Sequence, residues 1–130
     1  MRIFIISAIC LVLILSFPLL VTIIYVLTPS CENEVLDRVA SPDKARSAVV
    51  YSTNCGATTG YSYHVSILPI HKAPKRPGNI LVADRVTGYS DRLKPRWQEN
   101  KAITVPIPSG ARVFSKNNTV NEIGVKFEQQ

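Results

Sequence analysis

The sequence predicts an all-β domain, a small antiparallel meander closed as a sandwich or open barrel, preceded by one N-terminal transmembrane helix. Three observations carry this expectation. Residues 3–27 contain no charged side chain. The rest of the chain holds six or seven short runs of alternating apolar and polar residues, separated by Gly, Pro and Asn turn signals. No helical periodicity lies between those runs, so crossover helices and a parallel sheet are not indicated. The 130 residues leave room for one core. The expected division is an anchor over 1–30 and a β domain over 31–130. A multidomain enzyme, a collagen-like repeat and a polytopic membrane protein are excluded by length and composition.

The apolar run from Ile3 to Leu27 has only Ser7, Ser16 and Thr22 as polar members. As a helix, 25 residues span roughly 37 Å, enough for a hydrocarbon core of about 30 Å with tilt. Ser and Thr bond back to helix carbonyls, a helix in a membrane tolerates a proline such as Pro18, and Tyr25 stands where an interfacial aromatic belongs. Two other readings exist. A cleaved signal peptide normally has an apolar stretch of only about 7–15 residues. A lipoprotein would acylate Cys31, but Thr28 occupies the position three residues ahead, where Leu is usual. Arg2 favours a cytoplasmic N-terminus, whereas Arg38, Lys44 and Arg46 favour the reverse. Charge counting weakens for long translocated domains, so the cysteines must decide the side.

Cys10 lies in the apolar run, while Cys31 and Cys55 belong to the polar part. Two cysteines in a small tethered domain indicate a disulfide and an oxidising compartment. Closing about 25 residues would stabilise by roughly 3.5 kcal/mol. Two reduced thiols are the alternative. No zinc spacing and no Cys-x-x-Cys pair is present.

Taken in order, residues 32–40 form a short connector, with at most a turn or two of helix. Ser41-Pro42-Asp43-Lys44 is a turn. Arg46 to Ser52 is a strand, and residues 53–60 are a tight connection. Tyr61 to Leu68 alternates, with Tyr61, Tyr63, Val65 and Ile67 on one side and Ser62, His64 and Ser66 on a polar, exposed side. Pro69 to Gly78 holds three prolines and the cations Lys72, Lys75 and Arg76, and is expected to project as a loop. Asn79 to Ala83 is a short buried strand. A turn-rich stretch follows to Arg92. Arg96 to Glu99 contributes a strand end, with Trp97 the largest core candidate. Lys101 to Ile107 turns Ile103, Val105 and Ile107 inward, and Pro106 marks an edge or strand end. Ala111 to Ser115 and Asn121 to Glu128 are the last strands, the latter with Ile123, Val125 and Phe127 on one face.

Ser41-Pro42-Asp43, Ala48-Val49-Val50-Tyr51, Asn54-Cys55-Gly56-Ala57-Thr58-Thr59 and Val65-Ser66-Ile67-Leu68, with Trp97 and Ile123 to Phe127, form a pattern over about residues 31–128. It resembles small membrane-anchored or lipoprotein-like bacterial envelope proteins of unknown function. The resemblance implies an extracytoplasmic β domain and no known activity.

Candidate sites are few. Gly56, Ala57, Thr58 and Thr59 could form a binding loop, or a hairpin turn that consumes its own hydroxyls. His64 and His71 lack a carboxylate cluster and are expected to be solvent-exposed. There is no Gly-x-Ser-x-Gly elbow and no phosphate loop, so no catalytic residue, metal site or cofactor is assigned. Net charge is +6. Lys72, Lys75 and Arg76 form one basic patch and Arg92, Lys94 and Arg96 another, suited to an anionic membrane surface or an acidic partner, or simply solvated. Nucleic acid is not expected. The overall expectation is a single-pass protein of the bacterial inner membrane, its C-terminal domain in the periplasm or outside the cell. That domain is expected to bind an envelope protein or the membrane surface. Alternatives are a periplasmic immunity protein acting on a toxin and an unrecognised small enzyme.

Overall fold

A computed structural model of the chain divides into two compact units, Met1–Ser30 and Cys31–Gln130. It describes all residues except 28–30, 57, 58, 76 and 88–91, and leaves out the side chains of 2–5, 7–11, 13, 26 and 27. The first unit is one helix, α1 (Arg2–Leu27), with Pro18 inside it. Thr22 Oγ1 donates to the Pro18 carbonyl at 2.7 Å. Among the residues whose side chains are described, no helix is long and apolar enough to cross a membrane.

The second unit is all β. One sheet runs β1 (Glu32–Ala40), β2 (Arg46–Asn54), β3 (Ser62–Pro69), β4 (Leu81–Asp84) and β7 (Arg112–Lys116). All its pairings are antiparallel, and β1 to β4 form the expected meander. The other sheet runs β5 (Arg96–Glu99), β6 (Ala102–Ile107), β9 (Ile123–Gln129) and β8 (Thr119–Val120). Here β6 and β9 pair in parallel. That departs from a pure meander: β7 leaves to join the first sheet, so the chain returns to β6 from the far side.

The two sheets close on one apolar cluster. Ala48 and Val50 of β2, Val65 and Ile67 of β3, and Leu81 and Ala83 of β4 meet Ile103, Val105 and Ile107 of β6 and Ile123 and Val125 of β9. The strict alternation of β3, β6 and β9 is what puts these side chains on one face. Trp97 is only partly buried against this core; its indole N–H donates to the Val39 carbonyl at 2.9 Å and so ties β5 to β1. Pro106 lies in β6, between β5 and β9. Gly124 N–H on Lys101 O and Gln130 N–H on Ile107 O turn the odd positions of β6 toward β9. Pro106 therefore faces the β5 side, where pairing stops at Arg96 and Thr104. Its missing donor costs no ladder bond.

Residues 32–40 are a strand, not the connector with helical turns that the sequence suggested. A register shift between Val35 and Asp37 breaks the alternation, and an edge strand carries charge on both faces. The turn after β1 follows expectation. Asp43 accepts from Ser41 Oγ at 2.6 Å and from Ala45 N–H at 3.1 Å. Those donors, Ser41 first, hold its carboxyl below the usual 3.8.

Cys31 and Cys55 form a disulfide. Glu32 pairs with Asn54, so the bridge staples the outer end of the β1–β2 pair. Replacing both cysteines by serine should lower the stability of the full chain by about 3 kcal/mol, read as a lower urea midpoint with a slope that is unchanged or steeper, since the unbridged unfolded chain exposes more surface. An unchanged midpoint would show that the staple adds nothing.

Candidate functional site

Strand β2 is buried from Ser47 to Thr53 on both faces. One face meets the apolar core. The other face carries Ser47, Val49, Tyr51 and Thr53, beside Ser62, His64, Ser66 and Leu68 of β3, by direct register. The segment 69–80, described except for residue 76, covers this polar face. The sequence suggested a projecting loop; instead the segment folds back over the sheet. Its prolines keep it out of regular structure, and long-range hydrogen bonds hold it down.

The bonds come from three strands. Arg38 of β1 donates to Ser47 Oγ at 2.7 Å, to the Ile70 carbonyl at 2.9 Å and to the Lys72 carbonyl at 3.0 Å. Tyr51 of β2 donates its hydroxyl to the Lys75 carbonyl at 2.9 Å. On β3, His64 Nδ1 accepts from Gly78 N–H at 3.1 Å, and Ser66 Oγ accepts from Asn79 N–H at 3.1 Å. The rings of Tyr51 and His64 stack, with centroids 5.1 Å apart and planes 13° apart. His64 is 4% exposed, which corrects the expectation of a solvated histidine. The β3 alternation is as expected, but its polar side faces the segment rather than water.

Two residues of the segment do work that depends on their own side-chain chemistry. A Cβ on Gly78 would stand 2.6 Å from the Leu81 carbonyl oxygen and 3.0 Å from His64 Cβ. Only glycine lets the chain pass this close to β3. Asn79 uses its side-chain amide as a strand residue uses its backbone. It accepts from Ile67 N–H at 2.8 Å and donates to the Ile67 carbonyl at 2.9 Å. The ladder between β3 and β4 ends at Val65 and Leu81, and Asn79 extends it.

The outward side of this layer is cationic. Lys72, Lys75 and His71 are exposed, while Arg76 lies outside the described residues. No Asp or Glu occurs between Asp43 and Asp84, so β2, β3 and the segment offer no carboxylate of their own. Among the described residues, neither Lys72 nor Lys75 makes an ion pair. The second basic group is partly neutralised, since Lys94 pairs with Asp37 at 3.4 Å and Arg96 with Glu128 at 2.7 Å.

The Cys55–Thr59 loop offers less. Gly56 has φ +110°, and Thr59 donates its N–H at 3.1 Å and its hydroxyl at 3.2 Å to the Gly56 carbonyl. These groups serve the turn itself. Ala57 and Thr58 lie outside the described residues. Among the described residues no group of His, Cys, Asp and Glu is placed to hold a metal. Arg38, Tyr51, Gly78 and Asn79 were not singled out as site residues from the sequence. The one available signal was the Gly-Asn pair ahead of a buried strand.

Asn79→Ala strands the N–H and C=O of Ile67 together, and should cost about 2–4 kcal/mol. Urea unfolding of the full chain checks this, and a loss within experimental error of zero would mean water replaces the amide freely.

Comparison with protein-family models, with curated proteins and with solved structures finds no match to this chain.

Proposed function

We propose that the chain is a single-pass bacterial inner-membrane protein whose β domain, outside the cytoplasm, binds an acidic partner through the cationic segment 69–80. The observation that carries this reading is the Cys31–Cys55 disulfide placed directly after an apolar helix. A disulfide in a small domain belongs to an oxidising compartment. In the sequence, the run from Ile3 to Leu27 carries no charge and is longer than the apolar stretch of about 7–15 residues in a cleaved signal, which favours a span. Two lysines without ion-pair partners among the described residues, on a stretch free of carboxylates, suit an envelope protein with an acidic face or an anionic membrane surface. The resemblance to small anchored envelope proteins points the same way. No nucleophile, base and orienting group converge among the described residues, so binding is preferred to catalysis.

Fractionation with thiol labelling tests the placement. The full chain should stay in the membrane pellet after alkaline carbonate, and without reductant alkylation should modify Cys10 alone. Release by carbonate, or alkylation of Cys31 and Cys55 without reductant, contradicts the placement. For the binding reading, Lys72→Glu with Lys75→Glu should remove the salt-sensitive partners captured by the wild-type chain. An unchanged capture profile, with the double variant folded, contradicts it.

A further inference from the structure

The segment 69–80 rests on a titratable group. Gly78 N–H is a fixed donor, so the His64 Nδ1 it points at, 3.1 Å away, must be the unprotonated nitrogen. The proton of the neutral ring then sits on Nε2, which donates to Ser62 Oγ at 2.9 Å. The ring is stacked flat on Tyr51, and Tyr51 itself holds the segment through the Lys75 carbonyl. A second proton on the ring can enter only at Nδ1. There it would confront the Gly78 N–H, donor against donor, in a site that is 4% exposed. We propose that His64 is an acid-sensitive latch: protonation at Nδ1 breaks the Gly78 contact and frees the cationic segment 69–80 from the outer face of the first sheet.

The proton balance sets the direction. The docked segment excludes the Nδ1 proton and the undocked segment admits it. Docking is therefore strongest where the ring is neutral and weakens as pH falls, by up to tenfold per pH unit for one linked proton. An imidazole ordinarily changes charge near about pH 6.5, which makes histidine the side chain suited to a switch at mildly acidic pH. The titratable and charged groups around His64 among the described residues can be named. Tyr51 lies on β2. Asp84 lies on β4, on the same face and two residues beyond Val82, the register partner of His64, and it is ion-paired with Arg112 of β7. Lys75 belongs to the segment, with an exposed side chain, and Arg38 reaches the segment from β1. Ser62, Ser66 and Thr53 complete the face and do not titrate in this range. Acid thus adds positive charge under a segment that is already positive, and Lys72 and Lys75 resist recapture of the protonated ring.

The latch is independent of what the segment binds and of where the chain is anchored. The test is amide hydrogen exchange over 69–80 in the full chain in detergent micelles from pH 7.5 to 4.5, corrected for the intrinsic pH dependence, beside the imidazole titration of His64 by NMR. The expected result is a loss of protection over 69–80, and at the Ile67 amide that Asn79 holds, whose midpoint coincides with that of His64, while the other amides of β2 and β3 stay protected. His64→Asn places an amide oxygen near the position of Nδ1 and does not titrate, so it should keep the segment protected throughout. His71→Asn, at an exposed site in the same segment, should leave the wild-type profile unchanged. Protection that stays constant through the His64 titration overturns the proposal. So does a His64→Asn variant with the wild-type profile, or a His71→Asn variant that has lost it. If His64→Asn does not fold, the coincidence of the two wild-type midpoints decides alone.

Discussion

The covering of a polar face by polar backbone is the constraint on which the rest of this domain depends. Strand β2 lies second in its sheet and is buried on both sides. Its apolar side needs only a matching core, which the second sheet supplies. Its other side carries Tyr51 and Thr53 beside His64 and Ser66. Burying such groups without partners costs about 1–3 kcal/mol each. The segment 69–80 supplies partners in the form of the Lys75 carbonyl and the Gly78 and Asn79 N–H groups. Among the described residues no buried side-chain nitrogen or oxygen lacks a partner. The domain is thus three layers, and the third is a proline-rich segment rather than a helix or a sheet.

This construction links stability to function. Apart from Ile80, which is buried in the core, the proline-rich segment contributes little burial, so its hold rests on a few directed bonds from Arg38, Tyr51, His64 and Asn79. Segments held this way open at lower free energy than the strands beneath them. The same segment carries exposed lysines. The proposed binding role would use this cationic layer on a disulfide-stapled sheet, because loops carried on a scaffold combine reach with fixed position. The staple acts at the other end of β2, joining the entrance of β1 to Cys55, so the scaffold holds while the layer opens.

Much of the fold was legible in the sequence. Alternation exposed the inward faces of β3, β6 and β9 because those strands obey period two without interruption. Cys31 and Cys55 announced their bridge through cysteine number and context. The strand at 32–40 was hidden because an edge strand with a register shift at Val35 and Asp37 carries no clean pattern. The parallel pairing of β6 with β9 was hidden because alternation fixes faces, not neighbours. The docked segment was misread for a related reason. Proline and lysine describe its local chain, but its partners Arg38, Tyr51 and His64 are 14 to 34 residues away. Composition is enough to mark its cations as a patch, whereas the histidine beneath them looks solvated beside serine neighbours. Burial by another part of the chain leaves no mark on a strand's own period.

Everything above depends on the segment 69–80 lying as a layer on the outer face of the β1–β4 sheet. Nuclear Overhauser contacts in the full chain at neutral pH test it most directly. A docked layer gives contacts from the Tyr51 and His64 rings to the Gly78 amide proton and to the Lys75 backbone. Rings that contact only β2, β3 and solvent would contradict it.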